Sequence, residues 1–252
     1  MKKVSFFILL LFIAASVHRC TIKIEYDGFD KDILFSLDEL YQLPTYRSLD
    51  EAMENPDSVY KIVIFNEELT RVPRDVAQLK YLNILELTWN NLSGLPDYIG
   101  DMIYLQDLYL ARNEFTEVPP VVFRIENLKR VIFDHNNIEE IPLQLLTNPR
   151  IEELHFGHNQ VTKIPEELYS MKQLKVLKLD ENKIGYLDPE IGNMESLKVL
   201  DLEGNNLYSI PYEIIQLRNL RTLNLRDNPI PLKNIDSLIS AMPWTKVEYK
   251  IR

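Results

Sequence analysis

One spacing of apolar residues recurs every 23 residues through most of the chain and constrains the fold more than any other feature. The spacing is L-x-x-L-x-L-x-x-N-x-L-x-x-L-P, with Ile, Val or Phe replacing Leu in some copies. Seven copies follow one another without an insertion, beginning at Leu82, Leu105, Leu128, Ile151, Leu174, Leu197 and Leu220, and a degenerate copy begins at Val59. A fixed period of about 20–50 residues is typical of solenoids, whose repeats stack only on their neighbours.

The apolar positions of each copy predict a short strand with one buried face. Leu85 and Leu87 are two residues apart, so they point to the same side of a strand. Burial of each such side chain is worth about 1.5–3 kcal/mol as an upper estimate. Because one repeat has nothing to bury these side chains against, stacking of the repeats must provide the stability.

Two further columns of residues recur with the same period. A buried asparagine amide has donors and acceptors, so it can satisfy the turn of its own repeat and of the neighbouring repeat. Proline suits an extended return path that lacks hydrogen-bond partners, and apolar residues three apart after it predict short helical turns. The asparagines are Asn90, Asn113, Asn136, Asn159, Asn182, Asn205 and Asn228, and the prolines are Pro73, Pro96, Pro119, Pro142, Pro165 and Pro211, with Asp188 in the remaining slot.

In this spacing the chain resembles the leucine-rich-repeat family, in its 23-residue L-P subtype, over about residues 57–230. The resemblance implies an α/β fold: a right-handed horseshoe solenoid with a parallel concave β-sheet and short helical or irregular convex segments. It also implies binding of a protein partner through the concave face. The leader described next, the lack of cysteine clamps and residues 48–61 are similar to exported bacterial members of the family.

The first 19 residues have the pattern of a secretory signal peptide. Lys2 and Lys3 precede an apolar run at 4–15, which is shorter than the roughly 20 residues that span a bilayer. Two processing routes fit the sequence, with cleavage near residues 16–20. Small residues at 14–16 suit an ordinary signal peptidase, and Cys20 is positioned as the lipid-bearing cysteine of a lipoprotein, although a bulky His-Arg pair precedes it. We therefore predict a secreted or envelope-associated protein.

Flanking segments are expected to close both ends of the solenoid. Residues 20–56 are interpreted as an N-terminal cap, in which Ser48 and Glu51 form a capping box at the start of a short helix. Residues 57–229 contain about eight repeats. Residues 230–252 are interpreted as a C-terminal cap that consists of a helix, Trp244 and a terminal strand. Cys20 is the only cysteine, so no internal disulfide can form.

Charge and motifs exclude several classes of function. The net charge is −10, and removal of the leader with its three basic residues brings it to −13, which disfavours nucleic-acid binding. The sequence has no glycine-rich phosphate loop, no G-x-S-x-G and no H-E-x-x-H. We therefore predict a non-enzymatic protein without a cofactor.

Outward-facing strand positions form three columns on the concave face. The central column is Val63, Glu86, Tyr109, Ile132, His155, Lys178, Asp201 and Asn224; the distal column is Phe65, Thr88, Ala111, Asp134, Gly157, Asp180, Glu203 and Arg226; the trailing column is Asn66, Trp89, Arg112, His135, His158, Glu181, Gly204 and Asp227. Eight strands span about 34 Å, which suits a protein interface. The predicted contacts are Phe65, Trp89, Tyr109, Arg112, Ile132, His135, His155 and His158, and the C-terminal half of the face is acidic.

Two alternatives to protein binding use the same face. The aromatic residues also fit carbohydrate recognition, for example of envelope or host glycans. His135, His158 and Glu181 share the trailing column in successive repeats and form a metal-ligand set in principle. Because these ligands lie on three strands, their side chains would have to converge to hold one ion.

Overall fold

A computed structural model describes residues 34–249. The predicted signal peptide, Cys20 and the start of the N-terminal cap lie outside the described residues. Within them, nine parallel strands form one sheet in chain order. The strands are β1 Lys61–Val63, β2 Ile84–Glu86, β3 Asp107–Tyr109, β4 Arg130–Ile132, β5 Glu153–His155, β6 Val176–Lys178, β7 Val199–Asp201, β8 Thr222–Asn224 and β9 Lys246–Glu248.

The strand register reproduces the period of the sequence. Each residue of β2 pairs with the residue 23 positions later in β3, as in Leu85 with Leu108, and the same step holds from β1 to β8. Identical repeat positions therefore stack into continuous columns, which confirms the predicted α/β solenoid with a parallel sheet. The middle residue of each strand from β1 to β8 is buried, as the apolar spacing predicts.

The return segments contain the predicted short helical turns, mostly as 3-10 helices that follow a proline. Repeat four has an α-helical turn, α3 Leu143–Leu146, and Asp188 replaces proline by accepting the N–H of Glu190 at 2.9 Å. Proline or this Asp fits because the preceding backbone is extended. The 3-10 helices are Pro56–Ser58, Arg74–Gln78, Asp97–Asp101, Pro120–Arg124, Glu166–Ser170, Pro189–Asn193 and Tyr212–Gln216.

The asparagine column joins neighbouring repeats, as predicted. The Asn136 amide donates to the carbonyls of Phe133 in its own repeat and Leu110 in the preceding one, at 2.9 and 3.0 Å. Its Oδ1 accepts the N–H of Phe115 at 3.0 Å. One side chain thus satisfies three backbone groups that leave the strand ladder, which explains why asparagine is required at this buried turn.

Two helices and the last strand lie at the two ends of the repeats and pack against the core. At the N-terminal end, α2 Leu49–Met53 buries Ala52 in the core. Only half of the expected capping box is present: Ser48 accepts the N–H of Glu51, whose carboxylate accepts from the N–H of Arg47. At the C-terminal end, α4 Leu232–Ala241 precedes β9, and the indole of Trp244 donates to a backbone carbonyl at 3.2 Å.

A further short helix, α1 Leu37–Gln42, lies elsewhere. It packs on the sheet face turned away from the core rather than over the edge of the first repeat, because Leu40 and Leu43 contact Ile84 there. Among residues 34–249, no helix is both long and apolar enough to cross a membrane.

Candidate functional site

Aromatic and cationic side chains of the trailing column form a continuous ladder on the concave face. The Arg112 guanidinium lies over the Trp89 ring, 4.5 Å from its centroid. Its Nη2 is 3.1 Å from Nε2 of His135, which must accept because a guanidinium only donates. The His135 and His158 rings stack with centroids 3.9 Å apart. Three successive interactions therefore link side chains of four repeats.

The backbone conformation of the trailing column determines the direction in which the side chains of this ladder leave the sheet. Every residue of the column has a positive φ: 60° at Trp89, 55° at Arg112, 56° at His135 and 52° at His158. The left-handed conformation is unfavourable for residues other than glycine, so the surrounding repeat must impose it. Because all repeats share it, the side chains leave the sheet in the same direction and stack.

Four of the predicted contact residues are exposed. Phe65 and Trp89 retain 49% and 47% of their surface, and Arg112 is also exposed. Single exposed aromatics are ordinary on protein surfaces, but these occupy adjacent repeats beside a cation. His158 is exposed and His135 half-buried, so the ladder presents one face to solvent along its length.

The other predicted contacts are less available. His155 keeps only 8% of its surface and lies between two carboxylates, with Nδ1 3.8 Å from Asp134 and Nε2 3.7 Å from Glu153. Its side chain therefore offers little surface to a partner, unlike the expectation for the central column. Tyr109 and Ile132 are half-buried. The Tyr109 hydroxyl lies 3.0 Å from that of Tyr41 in α1, which covers it.

A fourth outward-facing column, which the sequence analysis did not identify, precedes the central one and is named here the leading column. Arg130 binds both carboxylate oxygens of Glu153, at 2.6 and 2.8 Å, and reaches Oδ2 of Asp107 at 3.2 Å. Its Nη1 also donates to the Tyr109 hydroxyl at 3.0 Å. The column is Lys61, Ile84, Asp107, Arg130, Glu153, Val176, Val199, Thr222 and Lys246.

The two acids of this network compete for one guanidinium, and their pKa values diverge. Burial raises the pKa of Asp107 to about 7, and repulsion from Glu153 adds to the shift. Burial alone would raise the pKa of Glu153, but His155 and Arg130 outweigh it and lower the pKa to about 2. The bidentate partner keeps the charge, so this network is a buried structural ion cluster rather than a free binding surface.

Carboxylates of the distal and central columns make the C-terminal half of the concave face acidic. Burial raises the pKa of Asp180 to about 6, with repulsion from Asp201 and Asp134 as further causes. Its Oδ2 lies 3.6 Å from Nε2 of His158 in the trailing column. The ladder therefore ends against a region where negative charges crowd one another.

The metal-ligand hypothesis receives no geometric support from residues 34–249. No group of three His, Cys, Asp or Glu side chains in this part of the chain is arranged to hold an ion. His135 and His158 stack face to face, and His135 Nε2 already accepts from Arg112.

Comparisons with known proteins agree with the geometry. Leucine rich repeat family models match residues 126–184, 172–230 and 219–242. A comparison with curated proteins gives no match.

Solved structures with the same fold come from bacteria and plants. A leucine-rich-repeat protein of Leptospira interrogans is 29% identical, with a TM-score of 0.66; the match covers 76% of this chain and 55% of that one, so the chain spans about half of it. Internalin C2 of Listeria monocytogenes is 21% identical over 78% of this chain and 83% of its own, with a TM-score of 0.67, and shows the fold alone.

The ectodomain of a plant membrane receptor kinase from Arabidopsis thaliana, solved in complex with Casparian strip integrity factor 2, is 26% identical. That match has a TM-score of 0.55 and covers 72% of this chain and 26% of that one. With the 23-residue repeat, the parallel sheet and the family models, these similarities show that the chain belongs to the leucine-rich-repeat family.

Proposed function

We propose that this chain is a non-catalytic recognition module that binds a protein partner through the concave face, with the trailing column as the main contact. The observation that carries the proposal is the exposed ladder of Trp89, Arg112, His135 and His158, with Phe65 beside it in the distal column. Tryptophan and arginine are the residue types that most often dominate protein interfaces.

The ladder is also ordered before any partner binds. Stacking and hydrogen bonds fix the four side chains, and the left-handed backbone fixes the direction in which they leave the sheet. Side chains that are already ordered lose less conformational entropy on binding, which leaves more of the contact energy as affinity. This favours the ladder over scattered exposed residues on the return segments.

Charge suggests the kind of partner. The ladder meets crowded carboxylates at Asp134, Asp180 and Asp201. Burial and then repulsion from its two neighbours raise the pKa of Asp180, and a cationic group would relieve that repulsion. A partner with an aromatic or apolar patch beside basic residues would complement this face and associate faster at low salt.

The relatives support binding rather than catalysis. The Arabidopsis ectodomain of this fold is solved in complex with Casparian strip integrity factor 2, and we take this as support for protein recognition by the present chain. Members of this fold serve many unrelated partners, so the fold alone does not name one.

We further propose that the mature protein is exported, either secreted or held at the cell envelope by lipid on Cys20. The support is the leader pattern, together with the membrane-receptor ectodomain among its structural relatives. Mass spectrometry of the native N-terminus tests both parts. A lipid-modified Cys20 supports anchoring, cleavage near residue 16 supports secretion, and an intact Met1 contradicts export.

Affinity capture with paired variants of the full chain tests the binding proposal. We expect Phe65→Ala/Trp89→Ala to lose a partner protein that both the unmodified chain and Tyr208→Ala/Tyr212→Ala retain from cell-surface extracts. The control removes two aromatics that are 69% and 75% exposed and lie outside the sheet. Equal capture by all three chains contradicts the proposal. Hits confined to a glycan array would favour carbohydrate recognition instead.

A further inference from the structure

The short helix α1 occupies the leading side of the concave face, where a binding partner would be expected in this fold. Leu40 and Leu43 are buried against Ile84 and form an apolar cluster separate from the main core. Tyr60 and Tyr109 pack against the same cluster. The chain therefore buries part of its own recognition surface beneath a segment that precedes the repeats.

The polar contacts of α1 extend over several repeats. The Tyr41 hydroxyl lies 3.0 Å from the Tyr109 hydroxyl in β3, and the Arg130 guanidinium of β4 lies 5.5 Å from the Tyr41 ring. Lys129 donates to the Phe35 carbonyl at 3.3 Å. These contacts resemble those of a bound peptide more than those of an edge cap, because they involve outward-facing side chains of successive strands.

The helix depends on this surface for its conformation. It has six residues, and although Ser36 and Glu39 form a full capping box, an isolated helix of this length is not stable in water. Folding of α1 is therefore coupled to its docking, and an undocked α1 would lose its helix without disturbing the separate core cluster of the repeats.

The polar network beside α1, which reaches it through Tyr109 and Arg130, contains buried acceptors without donors. Within the described residues, Oδ1 of Asp107 and Oε1 of Gln106 are buried and have no hydrogen-bond partner. Two carboxylates there also share one guanidinium, because Arg130 is bidentate to Glu153 and makes a single contact with Asp107. Buried acceptors without donors cost free energy, and α1 supplies no donor to either of these two oxygens.

We propose that residues 34–45 are a tethered pseudo-ligand that fills a peptide-binding groove on the leading side of the concave face. The partner that fits this groove is a short helix-forming protein segment with apolar side chains three residues apart, as Leu40 and Leu43 are. The proposal rests on the proposed protein-recognition function but concerns the side of the face opposite the trailing ladder. Displacement of α1 would add Ile84, Tyr109 and the Arg130 network to the accessible surface.

Tethering explains how the groove stays closed in the free protein. A segment attached through a short linker has an effective concentration of about millimolar, so it outcompetes free peptides of equal intrinsic affinity. The unmodified chain should consequently bind such a peptide weakly. A chain whose own α1 cannot dock should bind it well.

A fluorescent peptide of residues 34–45 tests this competition in the full-length chain. Three chains are compared by anisotropy titration: unmodified, Leu40→Asp and Gln42→Asp. Leu40 is buried in the groove and Gln42 is exposed on the same helix, so the two variants carry the same new charge at contrasting positions. We expect the Leu40→Asp chain to bind the peptide at least about tenfold more tightly than the other two.

Hydrogen exchange shows whether α1 is undocked in each variant and whether the repeats remain folded. In the Leu40→Asp chain, amides of α1 should exchange fast while amides of β5 and β6 remain protected. Equal peptide affinity in all three chains, or no binding by a Leu40→Asp chain whose α1 is shown to be undocked, overturns the proposal. So does loss of protection throughout the repeats, because α1 would then be part of the core fold.

One further arm separates this proposal from the binding function of the ladder. Adding Phe65→Ala/Trp89→Ala to the Leu40→Asp chain should leave peptide affinity unchanged, since neither side chain contributes to the apolar cluster under α1. Loss of peptide binding in the combined variant would show that the peptide uses the trailing side, and would contradict a separate groove.

Discussion

The leading and trailing sides of the concave face are formed by the same strands, but the leading side is largely covered and the trailing side is exposed. On the leading side, α1 covers Ile84 and Tyr109, and Arg130 is paired with Glu153 and Asp107. On the trailing side, Trp89 and Arg112 stack on each other in solvent. A side chain that points away from the core is therefore not always accessible to a partner. The segment that precedes the repeats covers some of the outward-facing columns and leaves others exposed.

The contrast between the two sides is clearest at Arg130 and Arg112, which lie in successive repeats. Arg130 has a side-chain exposure of 12% and binds the fully buried Asp107 and the mostly buried Glu153. Arg112 is exposed and contacts a tryptophan ring and a neutral histidine nitrogen. Loss of a buried cation leaves its acids uncompensated, whereas loss of an exposed cation leaves its partners in water. Substitution should separate a structural from a functional arginine.

Arg130→Met is expected to give the largest loss of stability. Removal of the guanidinium leaves Asp107 and Glu153 close together in a buried site, which typically costs about 3–5 kcal/mol of unfolding free energy. Urea denaturation followed by circular dichroism measures the loss. Arg112→Met is the matched control and should lose less than about 1 kcal/mol. Equal losses in the two variants would remove the distinction between the leading and trailing sides.

Much of the fold could be predicted because it depends on local periodicity. The 23-residue spacing determines which residues face the core, and the strand register follows it from β1 to β8. The role of the asparagine column followed from counting unsatisfied backbone groups, and the structure confirms it at Asn136. On the concave face, Phe65, Trp89 and Arg112 were placed in outward columns and are exposed.

The rest of the site depends on contacts that no period encodes. Residues 34–43 lack a repeat pattern, so their docking on the sheet is visible only in three dimensions. The burial of His155 follows from Glu153 on its own strand and from Asp134 of the preceding repeat. One signal was available: Asp107, Arg130 and Glu153 alternate in charge at 23-residue steps, and opposite charges on adjacent strands predict cross-strand pairs.

Leu40→Ala should weaken the leading side without affecting the repeats. A buried leucine truncated to alanine typically costs about 2–5 kcal/mol, and we expect the low end because α1 can undock locally. Hydrogen exchange should show faster exchange for α1 amides and unchanged protection in β5. Gln42→Ala, on the exposed side of the same helix, should have no effect. A fall in protection across all strands would mean that the two sides are not independent.

Gly157→Ala should disturb the trailing side by a smaller amount. A Cβ at this position would lie 2.5 Å from Oδ1 of Asp180, so that carboxylate, which now lies 3.6 Å from Nε2 of His158, must shift. The expected cost is about 1–2 kcal/mol by thermal or urea unfolding. Gly185→Ala is the control, since its nearest atom is 3.9 Å away and its stability should change by less than about 0.5 kcal/mol. If Gly157→Ala left the free energy of unfolding unchanged, this position would tolerate a larger side chain than the distance to Asp180 indicates.

The smallest expected effect concerns the titration of His155 and His135, whose pKa values are shifted in opposite directions. Burial alone would lower the pKa of His155, but Asp134 and Glu153 outweigh it and raise the pKa above the usual 6.5. Burial, His158 and Arg112 lower the pKa of His135 below that value. His155 therefore contributes stability below pH 6.5 that is lost as pH rises through its raised pKa. His135 contributes stability above pH 6.5 that is lost as pH falls towards its lowered pKa.

Histidine-selective NMR titration of the full chain measures both pKa values, with His135→Gln and His155→Gln used to assign the two signals. We expect the His155 ring to titrate above pH 6.5 and the His135 ring below it. If both rings titrated together near 6.5, the histidine nearest the leading-column acids and the histidine in the open ladder would share one environment. The contrast between the two sides of the face would then be one of packing alone, without an electrostatic component.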